Sequence, residues 1–322
     1  MITFDRMKLV TPAEHITNFN PSKFLVYPNR YGGYYYKYCQ EHPYMINIIY
    51  NEKRREFVLE FTGKVLKDGY TRLINSETIS QCLLNIQDLN IFAFNIDAVI
   101  QDSEVCRCDV TMDVECPFPM DTLKRHLKAS IKNHDKWLYR NCENNGMEIF
   151  NNATTSKNQK RFIIYDKTKE LNMARNKDFL DGLNNKDDLL QSLANKVRFE
   201  FNLRTKKQIR SFLHIPDNRL CSVLNSTANP ILEIFDLAID EVIVPDAVCY
   251  NKTEKLALLQ QCNYDLQAVE MRIRENTPKT SSIRRKMEPY KKLLHEIRGG
   301  CEAMKIRDLL EQECINPPDV SK

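Results

Sequence analysis

The chain has 322 residues, 42% of them hydrophobic and 28% charged, and a net charge of +4. That is enough apolar material for a substantial core, which excludes wholesale disorder, but too little net charge to announce a nucleic-acid binder in bulk. Glycine is scarce, and neither a Gly-x-x-x-x-Gly-Lys loop nor a Gly-x-Gly-x-x-Gly turn occurs, which argues against a P-loop ATPase or a Rossmann enzyme.

The N-terminal part, to about residue 116, reads as strands mixed with a helix. The stretch from Met45 to Tyr50 and FVLEFTG (57–63) have strand composition, and the charged NEKRRE between them predicts a hairpin. Residues Ser76 to Leu89 read as an amphipathic helix with Ile79, Cys82, Leu83 and Ile86 on one face. The clearest strand is VCRCDVTMDVEC (105–116). Cys106, Cys108, Val110, Met112, Val114 and Cys116 point one way, and Arg107, Asp109, Thr111, Asp113 and Glu115 the other. A helix is predicted from Met120 to Ile131. A second strand is KRFIIYDK (160–167). A third is KVRFEFNLR (196–204), with Val197, Phe199, Phe201 and Leu203 inward. Residues 168–195 between them are polar and predicted helical. From about Pro230 the pattern turns helical, with charged segments at 252–275 and 281–314. That shift divides the chain into residues 1–229 and a helical region, 230–322. The fold class expected is α+β: a central, mostly antiparallel sheet with flanking helices on one side, followed by the helical C-terminal region.

Eleven cysteines at irregular spacings, without a Cys-x-x-Cys pair, point to a reducing compartment. No apolar run reaches membrane-spanning length, and the start shows no signal-peptide pattern. The expectation is a soluble cytoplasmic protein with no membrane contact.

Three strands present polar residues on one face. The first offers Asp109, Asp113 and Glu115, the third Glu200 between Arg198 and Arg204, and the middle one Tyr165 and Lys167, with Glu170 just beyond. Gathered carboxylates suit Mg²⁺ or Mn²⁺, which prefer oxygen ligands. A metal beside a tyrosine suits phosphodiester cleavage, because the ion polarises the phosphate while the phenolate attacks. Residues four apart on a strand lie ~13 Å apart, so Asp113 with Glu115, or Asp109 with Glu200 from a neighbouring strand, is an easier pair than Asp109 with Asp113, which would need a bulge. Against this, a polar outer face is ordinary for a half-buried sheet, and alternation alone argues for solvated surface. Local charge shifts the balance. Basic residues concentrate at 157–169 (with Arg161), 196–210 (with Arg198, Arg204, Lys206 and Lys207) and 279–298 (with Arg284 and Arg285), which suggests focused phosphate contacts. The last segment reads equally as a DNA-reading helix or a plain soluble one, and Pro289 would belong near its start. The aromatic run GGYYYKY (32–38) suits stacking on unpaired bases or strand packing, with packing favoured.

The ordered set EFTGK (60–64), CDVTMDV (108–114), RFIIYDKTKE (161–170) and VRFEFNLR (197–204) resembles the phage and plasmid replication proteins of the filamentous-phage gene II/X type. It is similar, more distantly, to rolling-circle initiators of small Gram-positive plasmids. The resemblance covers roughly residues 1–215. It implies a rolling-circle replication initiator, a metal-dependent nicking-closing endonuclease whose tyrosine attacks one origin strand and stays joined to the 5′ phosphate. It implies metal ligands at Asp109, Asp113 and Glu200, and catalytic roles for Tyr165, Lys167 and Glu170. It also implies origin DNA, duplex and single-stranded, as the partner, with a host helicase or polymerase and a second copy of the chain as further candidates. One departure stands out. The plasmid initiators carry the nucleophilic tyrosine in a short segment before the Ile-Tyr-x-Lys strand, and Phe150 stands there in this chain, with Tyr165 and Tyr139 as the nearest replacements. The six histidines are all isolated, so carboxylates would stand in for a histidine pair. A non-catalytic origin-binding or regulatory protein is the alternative, and Phe150 is the feature that favours it.

Overall fold

The computed structural model describes residues 2–315, apart from 31, 133–135, 144, 154, 156–157, 240–249, 263, 276–282 and 297–301. The strands are β1 Phe4–Pro12, β2 Ile16–Phe19, β3 Leu25–Pro28, β4 Tyr34–Gln40, β5 Ile46–Asn51, β6 Glu56–Thr62, β7 Phe92–Phe94, β8 Glu104–Glu115, β9 Trp137–Asn141, β10 Met147–Asn151, β11 Arg161–Asp166 and β12 Lys196–Leu203. Ten of them form one sheet in the order β3-β4-β5-β6-β1-β8-β12-β11-β10-β9, every neighbouring pair antiparallel. The α+β architecture and the antiparallel sheet are as the sequence predicted. So are the β5–β6 hairpin and the helix Ile79–Gln87, which buries Ile79, Cys82, Leu83 and Ile86.

Alternation gives the sheet two faces. On the apolar one, Val110, Phe201 and Phe162 stand in one cross-strand row. Helix Lys206–Leu213, capped by the Thr205 side chain, lays Phe212 edge-on against Phe201 with ring centroids 4.7 Å apart. Helix Pro230–Ala238 brings Phe235 edge-on to Phe162. Each such fully buried ring contributes about 2–3 kcal/mol of hydrophobic stabilisation. The predicted alternation of β8 holds up to one irregularity: a register shift against β1 returns Val105 to the apolar side, where it pairs with Leu9, and leaves Cys106 half-buried.

Helices lie on both sides of the sheet, not on one. The turns of Gly63–Arg72 and the short helices between Lys167 and Ser192 cover part of the polar face, and the first of these places Tyr70 against Arg198. The composition shift at Pro230 is not a core boundary either. Ile231, Ile234 and Phe235 complete the sheet's core, and so do Ile306 and Leu310 from helix Glu302–Ile315. A separate small core joins Leu259, Val269, Ile273, Met287 and Leu294, from helices Tyr250–Gln261, Leu266–Glu275 and Ile283–Glu296. Each of the two charged segments therefore breaks into two helices. Pro289 falls inside a helix instead of near its start. Thr277 and Pro278, the expected separator, lie outside the described residues.

Candidate active site

The polar face is not solvated surface. Arg198 is 0% exposed and Asp109 5%, and Thr111 and Asn202 are buried as well. Register explains their company. Asn202 of β12 pairs with Asp109 of β8, Glu200 with Thr111, and Arg198 with Asp113. On the other side of β12, Arg161, Ile163 and Tyr165 of β11 pair with Asn202, Glu200 and Arg198. Paired residues share a face, so Asp109 and Glu200 are diagonal neighbours on adjacent strands, within reach of one another.

Their surroundings make this pair unusual. Burial pushes the Asp109 carboxyl up to about 6, against the pull of Arg107 and Arg6. Burial, then the neighbouring Asp109, pushes the Glu200 carboxyl up to about 7. Asp109 Oδ1 is buried without a hydrogen bond. Glu200 accepts from Tyr165 Oη at 3.1 Å and from Asn202 Nδ2 at 2.9 Å. The Tyr165 hydroxyl is thus aimed at the pair. Burial and then Glu200 hold that phenol well above its usual range.

Arginines ring the pair. Arg107 lies 4.0 Å from Asp109 Oδ1, and Arg6 is the β1 partner of Asp109. Arg204 is crowded by Arg161 and Arg107; burial first, then these two cations, lowers its pKa. Two buried carboxylates hold these cations in place. Glu60, 4% exposed, receives Arg6 Nε at 2.8 Å and Lys8 at 3.4 Å. Glu148, 3% exposed, receives Arg140 Nε at 2.7 Å and the Arg161 guanidinium. The carboxylates lie on the sheet floor, and the cationic heads form the layer that meets solvent.

A second charge cluster adjoins Tyr165. Arg198 donates to both oxygens of Asp113 at 2.6 Å, to Asp5 Oδ1 at 2.7 Å and to Tyr70 Oη at 2.9 Å. Asp166 caps the helix that begins at Lys167, and this turn places the Lys167 ammonium 5.6 Å from the Tyr165 ring centre. Lys167 pairs with Glu170 at 2.7 Å, and Glu170 also accepts from Asn176 and Arg175. Burial raises the Glu170 carboxyl, but Lys167 and Lys64 outweigh it and hold it far below the usual range. Every charge here has a partner.

Several expected roles change on this geometry. Asp113 is no free metal ligand, since both its oxygens serve Arg198. Arg198 is fully buried and cannot meet DNA; it locks the sheet. Lys167 and Glu170 form a closed pair under Tyr165 and hold the scaffold. Tyr139 pairs with the buried Ile149 on the opposite face, and its hydroxyl donates to Asp265. It does not share a face with Asp109 and Glu200. Phe150 does. It begins the row Phe150–Arg161–Asn202–Asp109–Arg6 and lies 5.7 Å from the Arg140 guanidinium. Three strand spacings, roughly 14 Å, separate it from Asp109. Lys206 is paired with Glu104, and Lys207 is exposed on the same helix. Arg284 and Arg285 are exposed on the separate three-helix unit.

The donor set suits a hard divalent ion. Asp109 and Glu200 supply two carboxylates whose repulsion a cation relieves, and Asp109 Oδ1 lacks a hydrogen-bond donor. Among the described residues no group of three His, Cys, Asp or Glu side chains is arranged around one point. The remaining ligands would be water and phosphate oxygens, the usual habit of Mg²⁺. Sequence reasoning gave no site role to Arg6, Lys8, Glu60, Arg107, Glu148 or Asn202, although it put Arg107 on the face of Asp109. The alternation Arg6-Met7-Lys8-Leu9 was the signal available for β1. No family model matches the chain, and no curated protein is similar to it.

Proposed function

We propose that the chain is a metal-dependent DNA nicking-closing enzyme that initiates rolling-circle replication at a specific origin. The observation that carries this reading is the Asp109–Glu200 pair: Asp109 buried and Glu200 half-buried, their carboxyls raised to about 6 and 7, and ringed by Arg6, Arg107, Arg161 and Arg204. A phosphodiester is what carboxylate-bound Mg²⁺ or Mn²⁺ and a guanidinium ring both recognise. The ion would be held by Asp109 and Glu200 and would supply Lewis-acid polarisation of the scissile phosphate.

The remaining chemistry belongs to the chain. Tyr165 Oη forms a bond to phosphorus as its proton passes to Glu200 Oε2, 3.1 Å away. The bond from phosphorus to the 3′ oxygen breaks, and that oxygen takes up a proton from water to leave a 3′ hydroxyl. Arg107, Arg161 and Arg204 offset the phosphate charge, and Asn202 holds the second oxygen of Glu200. Lys167, paired with Glu170, stands against the Tyr165 ring and holds it in place. The reverse reaction rejoins the strand.

Replacing Glu200 by Ala abolishes cleavage of origin DNA and leaves origin binding largely intact. Loss of folding in that variant would assign Glu200 to the scaffold. Phe150 favours a second reading, a non-catalytic origin-binding or regulatory protein. It occupies this same face without a hydroxyl, and that reading predicts origin binding with no nick in any metal.

A further inference from the structure

The polar face does not end at the carboxylate pair. Register carries it across β1, β6, β5 and β4 to the edge strand β3. One row runs Lys8–Glu60–Asn47–Cys39, the next Val10–Val58–Ile49–Lys37–Leu25, and the last Pro12–Glu56–Asn51–Tyr35–Tyr27. Val10, Val58 and Ile49 are half-buried, an unusual state for three aliphatic side chains in a row at the centre of a sheet. At the far edge Leu25 is 64% exposed and Tyr27 48%, with Lys37 exposed between their strand and the aliphatic row. The aromatic run of β4 divides by alternation. Tyr36 stacks on Tyr50 and meets Phe19 edge-on, on the covered face, so packing claims Tyr36. Tyr35 takes the open face with Tyr27 opposite it.

We propose that this open face is a single-stranded DNA track, running from the Asp109–Glu200 pair to an aromatic edge formed by Tyr27 and Tyr35. Cationic heads sit at both ends, Arg6, Lys8 and Arg107 at one and Lys37 at the other. The first three are each about one-third exposed over the buried Glu60. Of the two carboxylates that β6 puts on this face, Glu60 is neutralised from above, and Glu56 stands in the outermost row. Aliphatic and aromatic side chains between fixed cations are what a strand of unpaired bases needs: flat apolar contact for the bases and positive charge along the backbone. Four strand spacings and six residues along a strand make the track roughly 30 Å long. That holds roughly eight nucleotides at the stacked rise of about 3.4 Å. The choice of DNA over RNA rests on the nicking proposal; the track itself rests on the register and exposure of these side chains.

The test is fluorescence anisotropy with labelled oligo-dT of four to twelve nucleotides, in EDTA, so that only binding is read. Affinity should climb with length and level off near eight to ten nucleotides. Tyr27→Leu with Tyr35→Leu keeps apolar bulk but removes stacking, and should weaken the ten-nucleotide complex by roughly tenfold or more while leaving the four-nucleotide complex unchanged. Tyr27→Phe with Tyr35→Phe should bind as the wild type does, which also reports an intact edge. Equal affinity of the Leu variant and the wild type at every length overturns the track, as does an affinity that ignores length. Tighter binding of oligo-U than oligo-dT overturns the assignment to DNA. A wild-type chain that binds the ten-nucleotide strand with this length dependence but never nicks origin DNA in Mg²⁺ or Mn²⁺ leaves the track standing and counts against the nicking chemistry alone.

Discussion

Replacing Glu200 by Gln separates a carboxylate kept for chemistry from one kept for the fold. In the folded chain its carboxyl is raised from the ordinary 4.5 to about 7. The folded state therefore holds a proton that the unfolded chain releases between these values. The stabilisation due to that proton is complete below about pH 4.5 and is lost as pH rises through about 7. The full rise corresponds to about 3 kcal/mol, which partial solvent access to Glu200 trims to about 2 kcal/mol. Glutamine removes the charge and keeps both hydrogen-bonding positions, because its amide can donate to Tyr165 Oη and accept from Asn202. Glu200→Gln should therefore be more stable than the wild type by about 2 kcal/mol at pH 8 and nearly equal to it at pH 5. Urea denaturation at pH 5, 6, 7 and 8, without divalent ions, reads this directly. A variant less stable than the wild type at pH 8, or a difference that does not change with pH, would refute the reasoning. Glu200 would then be a well-satisfied scaffold carboxylate.

Three further outcomes follow from the same geometry. Asp109→Asn should lower Mn²⁺ affinity at least tenfold in isothermal titration, whereas Asp113→Asn, whose parent carboxylate is already committed to Arg198, should change it less than threefold. Equal losses would return Asp113 to the metal site. Arg198→Met strands Asp5 and Asp113 without their buried partner and should cost about 3–5 kcal/mol in thermal or urea unfolding; a cost under about 1 kcal/mol would show that water reaches the cluster. Phe150→Tyr should fold normally, since the ring is half-buried beside Arg140, and should create no new DNA adduct, because two strands lie between it and Asp109. An adduct on the introduced tyrosine of that variant would show that Phe150 occupies the nucleophile's position.

The parts of this architecture that the sequence displayed are those written in a two-residue period. β8 and β12 announce themselves because Val110, Val114, Phe199 and Phe201 alternate with charged neighbours. The same alternation put Asp109 and Glu200 on polar strand faces and made them one of two easier pairs, the other being Asp113 with Glu115. It did not show that the face is buried. Burial there comes from Tyr70 and from the short helices after Lys167, and from Asp5, whose contact with Arg198 spans 193 residues. No local pattern encodes a contact of that range. Asp113 and Lys167 looked like site residues for the same reason: charge on a strand face reads alike whether it awaits a ligand or a partner already in the fold. The boundary at Pro230 failed because helix Pro230–Ala238 closes the sheet's core, and a shift in composition does not tell which core a helix joins.

The central claim, that Asp109, Glu200 and Tyr165 together break a DNA strand, is tested most directly on supercoiled plasmid carrying the replicon's own origin. The chain is incubated with Mg²⁺, with Mn²⁺ or with EDTA, the products are run on a denaturing gel, and any protein–DNA adduct is mapped by mass spectrometry. The account predicts a single-strand nick in either metal, none in EDTA, and a 5′-phosphate joined to Tyr165 that disappears in Tyr165→Phe. A nick that persists in EDTA, an adduct on another residue, or origin binding with no nick in either metal would contradict it.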